Sequence, residues 1–413
     1  MSDDGSRLLV GGQEVILNDG IHPAIPVDGE AALQEGLTPF KIEYFENSGG
    51  QALSLQWETE GGEFELVPAD RLYIERDLVR VTSPGKKEII RDHANAGDGY
   101  PLESLHPGYD LTDLRPEGFE PPVGGMGFLS SGKLVLCTWI QGAARGEVYL
   151  IDGVSGPPRP ERIEIKKIAE GLFEPLGLAI VDDRIFVAQK FEVTELIDSD
   201  GDEVIDRYET VASGWFGGNY HHFTLGLVHR NGSLYTALST AIDFGEVGFN
   251  GPNPPHRGSI VEIDLEARLP AYIAGGLRNP NGLGFNQAGD LFVTDNQGSW
   301  LPTNKLIHVQ RGAFYGYYPN EAGSPTPFQE QEVTPPAVHL IQNEISNSPS
   351  QPLAIPTGLF QGQMLVGDVT HGGIKRVYLE EVDGHLQGAV FRFSQGLEAG
   401  VNRLEWAPDG SLI

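Results

Sequence analysis

The stretch Gly275–Pro319, GGLRNPNGLGFNQAGDLFVTDNQGSWLPTNKLIHVQRGAFYGYYP, decides how the rest of the chain is read. Within it, LGFNQAGDLFVTD reads as two short strands around a tight turn. Apolar residues flank Gln287-Ala288-Gly289-Asp290, a corner that tolerates unusual backbone angles. The polar groups sit just outside the strands. Arg278-Asn279 precede the first strand and Asp295-Asn296-Gln297-Gly298 follow the second, so both clusters fall on loops held by a sheet, where sites usually lie.

The same pattern recurs. GFLSSGKLVLCTW near Phe128, AIVDDRIFVAQ near Ile180, LVHRNGSLYTAL near Val228, LFQGQMLVGDV near Phe360 and EWAPDGSLI near Trp406 repeat the order of apolar strand, polar Gly/Asp/Asn turn and apolar strand. Counting Phe285, consecutive anchors lie 52, 48, 57, 75 and 46 residues apart, the period of a propeller blade of four antiparallel strands. The spacing predicts an all-β chain with a six-bladed propeller over residues 106–413. Its last blade is expected to be incomplete, because Ile413 falls in that blade's second strand.

Composition narrows the function classes. Against 58 acidic residues stand 28 basic ones, a formal charge of −30, which argues against a nucleic-acid backbone as partner and suits cation binding. No apolar run approaches the roughly 20 residues of a membrane helix, and Met1 leads straight into Ser-Asp-Asp-Gly, with no leader pattern. The single cysteine, Cys137, excludes an internal disulfide, a Cys-x-x-Cys-His haem attachment and a Cys-rich zinc site. Its strand context reads as a small buried apolar residue.

Residues 1–78 read as a separate antiparallel unit, part of a β-sandwich. SDDGSRLLVGGQEVILNDG alternates around one Gly-Gly turn, and PFKIEYFENSGGQALSLQWE predicts a second hairpin through another. Ser2-Asp3-Asp4-Gly5-Ser6-Arg7-Leu8, Gly36-Leu37 with Pro39–Phe45, and Leu53–Trp57 carry a resemblance to the C-terminal half of the anthrax protective-antigen-type sandwich. In that family an adjacent Asp pair chelates calcium that binds sugar hydroxyls, so the resemblance makes Asp3 and Asp4 candidate ligands. A solvated turn entering a strand is the competing reading. Charged, turn-rich residues 79–105 are expected to be a linker.

Three polar stretches fall within the propeller. Asp198, Asp200, Asp202, Asp206 and Glu209, with the Val204 carbonyl, stand where an EF-hand-like loop places oxygen ligands, so a calcium loop between strands is expected. An exposed acidic turn is the alternative. The second stretch runs from Gly217 to Leu227 and contains His221-His222. A histidine just before an inner strand points at the propeller mouth, and an imidazole suits proton abstraction from an alcohol, although paired histidines are more often structural. The third is Arg278-Asn279, a fixed cation beside an amide, or simply a bonded turn.

Together, His222-Phe223, Leu277–Leu283, Asp295–Gly298, Asn304–Ile307 and Gly316–Pro319 resemble the soluble pyrroloquinoline-quinone-dependent sugar dehydrogenases, six-bladed propellers that oxidise aldoses. The resemblance implies His222 as general base and Arg278 as the group stabilising developing charge. It also implies cofactor contacts from Asn279 and calcium held by backbone carbonyls around Gln297 and Gly298. Two positions depart from the pattern. Thr370 stands where the family grips the quinone's acid groups with a lysine, and Arg403 is followed by Glu405 where a second arginine is expected. Such proteins are secreted or periplasmic, and some pass electrons to a cytochrome. A carbohydrate oxidoreductase is therefore expected first. A calcium-dependent carbohydrate-binding propeller without quinone comes second, and a calcium-dependent lactonase third.

Overall fold

The structure is a computed structural model that describes residues 1–45, 52–59, 61–68, 71–73, 108–157, 159–218, 221–240, 254–298, 303–318, 326–394, 397 and 399–413. It divides into two compact units, Met1–Pro84 and Gly85–Ile413. The expected linker 79–105 lies outside the described residues.

In the first unit, β1 (Ser6–Val10), β2 (Gln13–Asn18) and β3 (Phe40–Tyr44) form an antiparallel sheet in the order β2-β1-β3. The register explains its two faces. Leu8 pairs with Ile16 and Ile42 on one face, whereas Arg7 pairs with Glu43 on the other and adds Glu14. The second hairpin expected from the sequence does not form as read. Its first strand joins β1, and β4 (Gln56–Glu58) pairs instead with β5 (Phe64–Leu66).

The second unit is a β-propeller of successive antiparallel sheets. Blade one holds β6 (Val123–Phe128), β7 (Leu134–Thr138), β8 (Gly146–Asp152) and β9 (Glu164–Leu172). Blade two holds β10 (Gly177–Val181), β11 (Arg184–Ala188), β12 (Glu192–Ile197) and β13 (Arg207–Ser213). Blade three holds β14 (Thr224–Arg230), β15 (Ser233–Leu238), β16 (Ser259–Asp264) and β17 (Leu269–Gly275). Blade four holds β18 (Pro280–Phe285), β19 (Leu291–Asp295), β20 (Thr303–His308) and β21 (Val338–Ile341). Blade five holds β22 (Pro349–Ala354), β23 (Met364–Asp368), β24 (Gly373–Val382) and β25 (His385–Ser394).

The apolar core lies between neighbouring sheets, since both faces of each sheet are covered. Phe186, Val193 and Trp215 of the blade-two segment pack with Leu234, Val261 and Ile263 of blade three. Glycines let the first strands crowd the axis. A Cβ on Gly177 would lie 2.5 Å from the Gly226 carbonyl carbon, and one on Gly282 would lie 2.4 Å from Gln351 Cα.

Blade five corrects one strand assignment. Leu359-Phe360 belongs to the turn, with Leu359 81% exposed, and the first strand is the proline-bearing β22. Residues 401–413 then bridge back to the start. The Val401 amide bonds to Asp368 O at 3.0 Å and Asn402 Nδ2 to Val123 O at 2.6 Å, while Trp406 and Leu412 form a bridge.

Because strands alternate in direction, loops between blades and loops joining second to third strands share one end of the propeller, the mouth. Turns joining first to second and third to fourth strands lie at the other.

Candidate functional site

At the mouth, the loops are pinned by residues closing the second strands. In blade four the fully buried Asp295 carboxylate accepts the Asn279 amide at 2.8 Å and the Arg278 amide at 3.1 Å, with Lys305 Nζ 3.7 Å away. Asn304, also fully buried, accepts the Gln297 amide at 3.0 Å. In blade five Asp368 accepts the amides of Asn347 and His371. In blade three Ser239 accepts the Phe223 amide at 2.8 Å and donates to the His221 carbonyl. Fixed backbones of this kind hold side chains in place without using the side chains themselves.

This pinning separates the two histidines. His222 is 0% exposed and packs against Gly217, where a Cβ would lie 2.3 Å from that of His222. The base expected at His222 is thus enclosed within the protein. Its neighbour His221 is only partly buried, rests edge-on against Phe223 at 5.8 Å, and feels both Arg278 and Lys190. Burial first, then those two cations, push the His221 imidazole down to about 4.

Among the described residues, several buried polar atoms on the mouth loops have no protein partner: Asn279 Oδ1, Asn296 Oδ1, Gln297 Oε1, Arg278 Nε and Trp139 Nε1, and of these residues Arg278 acts on His221. Buried polar atoms are normally bonded, so a cluster without partners marks a place for a ligand. Asn279, Asn296 and Trp139 line one cavity of about 1210 Å³ with Phe223, Asn281 and Arg403. Lys190 supplies a further cation, bound to the buried Glu174 at 2.9 and 3.1 Å.

Arg403 has a different task. Nε donates to Gly124 O, Nη1 to Asn281 O and Asn402 O, and Nη2 to Leu176 O, at 2.6–2.9 Å. These carbonyls belong to distant parts of the ring, so the guanidinium acts as an axial tie, and burial lowers it to about 10. The cofactor contact expected from Arg403 is left with one Nη2 hydrogen, because its other four donors bond these carbonyls. Glu405, two residues on, is pushed up to about 7 by burial. Thr370 donates its amide to Asn347 O at 3.3 Å and supplies no cation. Cys137 is fully buried, its thiol pushed up to about 12.

The acidic loop lies at the other end, between β12 and β13. Carboxylate oxygens of Asp198, Asp200 and Asp202 gather within 4.8 Å of one another. Asp206 turns instead to the Ser199 amide and hydroxyl, and Glu209 pairs with Arg207 and Arg268. Of the six expected positions, three acids gather in the structure; of Val204, the amide donates to Asp202 at 2.8 Å. In the first unit, Asp4 accepts the His22 amide at 3.0 Å, and neither Asp3 nor Asp4 joins a cluster of three acids among the described residues.

Lys190, Glu174 and Trp139 were not singled out by sequence. Only the tryptophan closing LVLCTW offered a signal, an aromatic residue at the mouth end of a second strand.

Residues 164–371, just over half of the chain, match the family described as a domain of unknown function, DUF7133. The chain belongs to that family. Beyond this membership, the comparisons concern fold, since the three solved structures that follow share only 15–18% identity with the chain. The calcium structure of a Trichoderma reesei carbohydrate-active enzyme of family AA12 has a TM-score of 0.53 at 15% identity, covering 76% of this chain and 94% of its own. An oxidoreductase (glucose dehydrogenase) of Thermus thermophilus gives 0.51 at 18%, covering 71% and 90%. The PQQ-bound aldose sugar dehydrogenase of Streptomyces coelicolor gives 0.50 at 16%, covering 71% and 87%. No curated protein matches the chain. Among the described residues, no helix is long and apolar enough to cross a membrane.

Proposed function

We propose that this DUF7133 chain is a carbohydrate oxidoreductase that takes an aldose at the propeller mouth. The carrying observation is the set of unpartnered amide oxygens, indole N–H and guanidinium N–H on the mouth loops, with Arg278 acting on His221. A sugar's hydroxyls both donate and accept, so they complement that mixed set. His221 is neutral at ordinary pH and can accept a hydroxyl proton, while Arg278, with no carboxylate partner among the described residues, stabilises negative charge developing on the substrate oxygen.

The quinone and calcium named for the structural neighbours fit one side of this site. Asn279, Gln297, Gly298 and Arg278 would hold them, and a bound quinone would supply the hydride acceptor. On the acid-group side the fit is poorer, since Thr370 and Glu405 offer no cation and Arg403 keeps only one Nη2 hydrogen for a ligand. An anion bound beside Arg278 and Lys190 would offset their effect and raise His221 toward its ordinary value, strengthening the base on loading. At the far end, Asp198, Asp200 and Asp202 are proposed to hold a structural calcium. Asp3 and Asp4 remain a proposed second calcium position. A periplasmic or extracellular setting with a cytochrome acceptor accompanies this reading.

The engagement of four of the five Arg403 donors favours a second reading, a calcium-dependent carbohydrate-binding propeller that has lost the quinone. Reconstitution of the full chain with quinone and calcium, followed by absorbance and dye reduction with a panel of aldoses, separates the two. Quinone uptake with aldose-dependent reduction supports the oxidoreductase. Aldose binding without quinone uptake replaces it with the second reading, and absence of aldose binding overturns both.

A further inference from the structure

The mouth continues outward as a line of aromatic contacts. Trp139 meets Phe223 edge-on at 6.1 Å. Lys190 Nζ lies 5.4 Å from the Phe223 ring centre and 5.8 Å from that of Phe173, so the ammonium bridges the two rings. Phe173 in turn stacks on Phe191 at 5.6 Å and 26°. Phe173 lies on the loop from blade one to blade two and Phe191 on the loop joining β11 to β12, both at the mouth end. Phe191 is 37% exposed.

Hydrogen bonds hold the backbone beneath Phe173. Phe173 donates its amide to Gln189 Oε1 at 2.6 Å and accepts the Lys190 amide at 3.0 Å through its carbonyl, while Glu174 beside it adopts φ +50° to reach Lys190. A single exposed aromatic ring is ordinary on a protein surface. Two stacked rings on separate loops, joined through a buried cation to the rings lining the candidate site, form a continuous track. Two rings are far too small an area for a protein partner, for which a stable interface buries about 1,200 Å² or more. They match one planar ligand unit with an apolar face and a polar rim, as a pyranose presents.

We infer that the mouth takes the end of a glycan chain, with Phe173 and Phe191 forming an outer subsite on which a sugar beyond the one at His221 stacks. The inference rests on the carbohydrate reading above and adds chain length to it. The substrate class becomes an oligosaccharide or polysaccharide end in preference to a free monosaccharide.

Isothermal titration of the full chain with glucose, xylose, cellohexaose, maltohexaose and xylohexaose tests this. At least one hexasaccharide is expected to bind about tenfold tighter than its monosaccharide, the effect of one added stacking contact. Phe191→Ala should bring that ratio close to one, whereas Leu359→Ser, on an exposed blade-five turn, should leave it unchanged. Thermal melting of each variant verifies folding. Monosaccharide binding with no advantage for any hexasaccharide overturns the outer subsite alone. A chain-length advantage that survives Phe191→Ala, tested also as Phe173→Ala, likewise overturns it. Failure of every sugar to bind removes the carbohydrate reading together with this one.

Discussion

Blade two carries a polar loop at each end, and the two loops differ in how their polar atoms are satisfied. Between β12 and β13, Asp198 accepts the amides of Gly201 and Glu203 at 2.7 and 2.8 Å, Asp202 accepts Val204, and Asp206 accepts Ser199. Lys133 and Lys166 supply countercharge to Glu203. At the mouth end, Lys190 binds Glu174 and acts on His221, and other mouth loops carry side chains whose buried atoms have no protein partner among the described residues. The acidic loop is the stronger motif on paper, yet most of its bonding is local. Satisfied polar groups chiefly hold shape, and unsatisfied buried ones mark where something binds.

That contrast orders the expected effects. The largest is His221→Gln, which should lower turnover about 10²- to 10⁴-fold while changing sugar affinity little, measured by steady-state kinetics on loaded protein. His222→Gln should mainly lower the melting temperature. A reversal of the two effects would break the comparison at the mouth.

Next comes Arg403→Leu. It strips donors from carbonyls of several blades, and a loss of about 3–4 kcal/mol in denaturant unfolding is expected. A near-neutral result would show that the axial tie is dispensable.

Glu405 gives a pH signature of somewhat smaller size. Its folded value of about 7 lies above the ordinary carboxylate value, so the folded state keeps a proton that the unfolded chain releases between roughly pH 4.5 and 7. Stability therefore falls as pH rises through that window. Glu405→Gln should flatten the slope and be more stable than the parent by about 2–3 kcal/mol at pH 8, with the gap closing near pH 4. Urea unfolding at both pH values measures it.

The smallest effect belongs to the acidic loop. Calcium should raise the melting temperature by a few degrees, and Asp200→Asn should abolish the rise without altering sugar binding. Altered sugar binding in that variant would mean that the two ends are coupled.

Much of the scaffold was legible because a local rule wrote it. Turns such as Asp182-Asp183 and Asn231-Gly232 adopt the positive φ that the sequence signalled, and the apolar runs beside them became β10–β11 and β14–β15. Strand β22 escaped notice because Pro349 and Pro352 argue against a strand, and it tolerates them through a register shift between those residues. The choice between His221 and His222 depended on Ser239, and the role of Arg403 on carbonyls as far away as Gly124. Neither arrangement leaves a mark within a short window of sequence. Arg278, Asn279 and Gln297 were readable as residues, but their lack of partners became visible only once the loops were folded.

A crystal structure of the full chain grown with calcium and an aldose tests the central claim most directly. The account predicts sugar density in the mouth, with hydroxyls on Asn296 and Arg278 and one within hydrogen-bond reach of His221. Sugar bound only elsewhere, with those side chains facing water alone, would contradict it.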